Sequence, residues 1–248
     1  MKEDASKKSE IKKQLSEAMG EYKQLGWKSL KSGQWLWPII QKSFASYFKN
    51  ANVEYFESKY GTKDKEILSK KLISVAAKNA ALVGGVTGAA VSADEITAIV
   101  TGGEGGIGLP ANIAIAAAAI GGETILLMRI QLQLVANIAK LYGSPLDPND
   151  PEDILTILAY ALGGSVAESA GKFGMKVGGR LAGQATKAVF KKETLAALKR
   201  IAAKAGVKVL QRSLAKYAVP LASIGIGTVW NYASTRTVGK IATTHFKQ

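Results

Sequence analysis

Residues 109–143 read LPANIAIAAAAIGGETILLMRIQLQLVANIAKLYG. Leu109-Pro110 opens a long helix, because proline's fixed φ suits the first helical position, and Gly143 supplies the stop after Tyr142. At about 100° per residue, Asn112, Glu123 and Asn137 project within about 40° of one another, amid Ala116, Ala119, Ile130 and Leu134. A glutamate on such a face must find a partner or change its pKa. Arg129 points about 120° away and is no same-face partner. Glu123 is therefore expected inside a helical bundle, paired with a donor from another helix. The alternative is an acid that binds a proton or ligand.

The surroundings repeat this texture. Residues 72–93, LISVAAKNAALVGGVTGAAVSA, carry one charge, Lys78, and residues 105–122 and 217–235 carry none. These lengths approach those of membrane spans. They are nevertheless rich in Ala, Gly, Ser and Thr, and the mean hydropathy is only +0.07. Small residues let helices approach closely. The runs read as tightly packed internal helices, with shallow membrane insertion as the alternative. Asp150, Pro151, Glu152 and Asp153 suit a helix start, and further helices are expected at 154–162, 165–190, 193–215 and 221–241. A polar helix from Ser6 to about Leu25 precedes them, with Ile11, Leu15, Ala18 and Met19 at 3–4 spacing. No series of alternating strands is present. The fold class is all-α: a single helical domain at 63–248, preceded by a polar and then aromatic-rich helical arm at 1–62.

Composition removes much familiar chemistry. The chain has 248 residues and no cysteine, which excludes disulfides, thiol catalysis and thiolate metal sites within it. A single histidine, His245, rules out any zinc site needing several imidazoles, and its place near the tail speaks against an internal Ser-His-Asp triad. The stretch Gly103–Gly108 fits GxGxxG, but no βαβ unit surrounds it, so a glycine loop before a helix accounts for it. Asp147, Asp150, Glu152 and Asp153 lack the spacing of a calcium loop, and helix capping explains them. Ser9/Lys12 and Ser213/Lys216 fit SxxK without any companion motif. No catalytic set, metal site or cofactor is expected.

Charge is the clearest functional signal. The net charge is +14, and residues 169–248 hold 15 Lys/Arg against the single acid Glu193. Such a field attracts polyanions: the anionic face of a membrane or nucleic acid. Arg200, Lys204, Lys208, Arg212 and Lys216 recur every fourth residue, and Lys172, Lys176 and Arg180 begin a similar stripe upstream. Each step of four drifts about 40°, so the first five cover roughly half the helix circumference. Ala202, Ala203, Gly206, Val209, Leu210 and Leu214 fill the other half. A basic amphipathic helix of this kind suits a membrane surface. Nucleic acid is the lesser alternative, since no recognised nucleic-acid-binding signature accompanies the charge.

Ten of the eighteen aromatics lie between Tyr22 and Tyr60, interleaved with lysines. Trp27, Trp35 and Trp37 are candidate membrane-interface residues on this pattern, with core packing as the competing reading. The opening residues, MKEDASKKSEIKKQLSEAMGEY, have no apolar h-region or cleavage site, so no secretory signal peptide is expected. The expected location is cytoplasmic and peripheral at the membrane.

Gly108-Leu109-Pro110-Ala111, the Ala/Ile-rich helix, Arg129-Ile130-Gln131, Ile138-Ala139-Lys140-Leu141-Tyr142-Gly143 and Asp147 to Asp153 together resemble the EcsC protein family over roughly residues 65–235. The resemblance implies a bacterial-type helical protein linked with membrane transport or cell-envelope processes, and it carries over no catalytic residues. The combined expectation is a non-enzymatic helical protein that binds anionic lipids through its basic C-terminal helices, with shallow insertion or membrane perturbation as an extension. The rivals are an enzyme acting on lipid or envelope material, with Glu123 or the Asp147–Asp153 cluster as its acids, and a nucleic-acid-binding protein using the same basic face.

Overall fold

A computed structural model describes residues 2–41, 43, 52–89, 111–144, 146, 153, 193–217 and 223–247. Helices account for nearly all of them, and no strand occurs among the described residues. The main elements are α1 (Lys2–Lys31), α2 (Val53–Tyr60), α3 (Lys65–Gly88), α4 (Ala111–Leu141), α5 (Glu193–Tyr217) and α6 (Ser223–Phe246). The all-α expectation holds. The helices expected at 154–162 and 165–190, the Gly103–Gly108 loop and most of the Asp147–Asp153 cluster lie outside the described residues.

Local signals set the ends of these elements. Asp64 caps α3 by accepting hydrogen bonds from the backbone N–H groups of Glu66 and Ile67 at 2.8 and 3.1 Å. Asn52 caps α2 through the N–H of Tyr55 at 2.9 Å. At the far end of α4, Gly143 takes φ 80°, Ser144 N–H returns to the Ala139 carbonyl and Gly143 N–H to that of Lys140. That pairing satisfies carbonyls that the helix terminus would leave open, and its left-handed residue is cheapest as glycine.

α4 is the central element. Among the described helices it is the one long and apolar enough to cross a membrane, over Ala114–Leu141, but 83% of its most apolar window is buried inside the bundle. Neighbouring helices therefore cover its apolar surface. α3 and α6 run antiparallel to each other, as shown by Gly84 against Gly227, Ile73 against Gly239 and Lys247 on Glu66. α6 runs parallel to α4, with Asn231 near Glu123 and Thr235 near Gln131. The approach is close because the contact residues are small: a Cβ on Gly84 would stand 2.2 Å from the Gly227 carbonyl oxygen.

The N-terminal helix packs on α4. Ile11, Leu15, Ala18 and Tyr22 present one apolar face, and they join the same buried cluster as Ile120, Leu126 and Val135 of α4. α1 crosses α4 where Gly121 and Gly122 face Tyr22 and Met19. Arg129 of α4 donates to Glu21 at 2.5 Å across that contact. The boundary expected after residue 62 falls between α2 and α3 without separating two cores.

Trp27, Trp35 and Trp37 correct the membrane-interface expectation. Their exposures are 6%, 0% and 7%, so all three are core residues. α1 kinks at Gly26 (φ 73°), and the chain turns again at Gly33 (φ 72°), where it meets Ala203 and Gly206 of α5. These turns fold the three tryptophans inward, and their large ring areas are used in packing.

Candidate anionic-surface site and a buried ion pair

α5 is an amphipathic surface helix. Ile201, Ala202, Ala205, Val209 and Leu210 are buried, whereas Arg200, Lys204, Lys208 and Arg212 are exposed. Lys199, which the four-residue stripe omits, is exposed beside Arg200. The Lys199-Arg200 dipeptide was the available sign that positive charge extends past the stripe. Lys172, Lys176 and Arg180 lie outside the described residues.

Lys216 departs from the expected stripe. Four steps of about 40° rotate it roughly 160° from Arg200, between the directions of Ala205 and Val209. Its side chain is 1% exposed and its ammonium meets Glu123 of α4, which is fully buried. Lys216 belongs to the interior and contributes no surface charge.

Four helices supply this interior centre. Lys216 Nζ of α5 donates to Glu123 Oε1 of α4 and to Asn231 Oδ1 of α6, the latter at 2.9 Å. Asn231 Nδ2 donates to Glu123 Oε1 at 2.6 Å and to the Ala80 carbonyl of α3 at 3.2 Å. Each buried charge thus has an opposite charge and a neutral hydrogen-bond partner, as burial of an ion pair requires. Burial pulls the Lys216 ammonium below its ordinary 10.5, and the Glu123 carboxylate opposes that pull. Ser213 is also buried, but the SxxK pairing offers no free base because Lys216 Nζ is committed to Glu123 and Asn231. The enclosed arrangement is suited to fixing helix positions.

Two exposed features escaped the sequence reading. Val229 and Trp230 of α6 are 67% and 48% exposed, the large apolar side chains on a helix otherwise packed against α3 and α4. Their position in an uncharged run hid which of its residues face outward. No group of three or more potential metal-ligating side chains occurs among the described residues. Comparison with family models, with curated proteins and with solved structures found no match for the chain.

Proposed function

We propose that the protein is a non-enzymatic, peripheral membrane module that binds anionic lipids through the exposed face of α5. The observation carrying this reading is the division of α5 into a buried apolar half and an exposed half bearing Arg200, Lys204, Lys208 and Arg212. A cation near an anionic bilayer contributes about 1 kcal/mol, so four supply about 4 kcal/mol of attraction. Surface charges at this density also speed encounter with a polyanionic face.

The burial of the three tryptophans changes how the membrane is met. Trp27, Trp35 and Trp37 remain in the core, and among the exposed large apolar side chains of the described residues the adjacent Val229 and Trp230 are the pair suited to shallow insertion. The closure of the Glu123–Lys216 centre favours binding over catalysis, since both side chains are shielded from a dissolved substrate. The EcsC resemblance, with its link to membrane processes, points the same way.

Co-sedimentation with neutral vesicles, anionic vesicles and duplex DNA, each across a salt series, tests the proposal. Selective retention by anionic vesicles, weakening as salt rises, is expected. Equal retention by DNA would reassign α5 to indiscriminate polyanion attraction. Retention by none would remove the membrane reading.

A further inference from the structure

We propose that the groove between α3 and α6 is a second site, specific for phosphorylated polyols, with Arg236 and Lys240 as its principal phosphate ligands. The groove is open to solvent and has a volume of about 760 Å³, within the size range of small-molecule sites. Among the described residues, Lys70, Arg236, Lys240 and Lys247 line it against one carboxylate, Glu66. Glu66 is already bridged by Lys70 at 3.1 Å and Lys247 at 3.2 Å. These contacts hold two ammonium groups at the groove, while Arg236 offers the planar donor fork that matches a phosphate.

The rest of the lining selects the body that carries the phosphate. Tyr232 and Thr244 of the helix that carries Arg236 and Lys240 line the groove, as does Ser74 of α3, and each is a hydroxyl residue; the Thr243 hydroxyl donates to the Gly239 carbonyl at 2.9 Å. Hydroxyls both donate and accept, which suits a polyol. The groove is poorly built for a nucleobase: among the described residues Tyr232 is its one aromatic ring, with the Arg236 guanidinium over it at 5.9 Å, and Ile73 is its one aliphatic residue. Val229 lies about two turns before Arg236 on the same stripe of α6. That apolar continuation makes a lipid headgroup a source of the phosphorylated polyol alongside a free metabolite. The site uses α3 and α6 and does not depend on membrane binding by α5.

The test is calorimetric titration of the full chain with inositol hexakisphosphate, with unphosphorylated inositol and inorganic phosphate as references. A parallel arm uses vesicles containing phosphatidylinositol bisphosphate. The phosphorylated inositol should bind, inositol should not, and inorganic phosphate should bind at least tenfold more weakly. The Arg236→Glu/Lys240→Glu variant should lose at least tenfold in affinity, while Lys204→Glu/Lys208→Glu/Arg212→Glu retains binding to the soluble probe. Arg236 and Lys240 are exposed, so helicity should survive, and Arg236→Gln/Lys240→Gln repeats the test without charge reversal. Groove-dependent binding of the soluble probe identifies a free phosphorylated polyol as ligand. Groove-dependent binding to the vesicles alone identifies the lipid headgroup. Binding in neither arm, or binding unchanged by both groove variants, would overturn the assignment.

Discussion

Lys216 and Glu123 stand 93 residues apart in the chain and meet as a fully enclosed ion pair between α5 and α4. Asn231 bonds to both, and through the Ala80 carbonyl it ties the pair to α3. The placement of α5, and hence of its exposed cations, rests on this contact together with the approach of Gly206 to Gly33.

Removing one partner of the pair strands the other charge in the core. Glu123→Ala is expected to cost about 3–5 kcal/mol in urea unfolding. Replacing the whole centre, as Glu123→Leu/Lys216→Met/Asn231→Leu, should be neutral or stabilising by about 1–4 kcal/mol, because the buried charges and the amide that bonds to both are removed together. The refolded triple variant should still bind anionic vesicles. Full stability with lost binding would make the centre functional.

Close helix contact makes a sharp prediction at adjacent glycines. Gly84→Ala drives its Cβ against the Gly227 backbone, which cannot rotate aside, and should cost about 1–3 kcal/mol. Gly85→Ala meets the Thr228 side chain at 3.0 Å and gains helix propensity. Its unfolding free energy should stay within about 1 kcal/mol of wild type. Equal effects at the two positions in chemical denaturation would refute the α3–α6 register.

The single histidine provides a clean pH measurement. Partial burial pushes the His245 imidazole below its ordinary 6.5, and its ring stacks edge-on against Phe246 at 4.9 Å. Between that depressed value and 6.5 the unfolded chain binds more protons than the folded one, so His245's contribution to stability rises with pH there and falls on acidification. Its NMR titration midpoint should lie below 6.5. A midpoint at or above that value would contradict the burial of the ring.

The fold was legible where local periodicity and stop signals coincide. Gly143 ends α4 as its sequence signal indicates, and the apolar surroundings of Glu123 announced its burial. Lys216 was readable in principle, because a four-residue repeat drifts about 40° per step, but assigning all five residues to one polar half overlooked that the last of them reaches the direction of Ala205 and Val209. The tryptophans were ambiguous for another reason: aromatic and lysine content does not say which side of a chain faces the core, and the turns at Gly26 and Gly33 decided it. The α3–α6 groove joins Lys70 to Arg236 across the bundle. Tertiary pairing of that kind leaves no trace in the periodicity of either helix.

The most direct test of membrane binding is the vesicle affinity of Lys204→Glu/Lys208→Glu/Arg212→Glu, with circular dichroism confirming retained helicity. All three side chains are exposed and glutamate is a good helix former, so the bundle should persist. At about 1 kcal/mol for each lost cation, binding to anionic vesicles should weaken by at least about 3 kcal/mol, roughly a hundredfold or more. A folded triple variant that binds anionic vesicles as tightly as wild type would show that the basic face of α5 is only solvated surface, and would contradict the account.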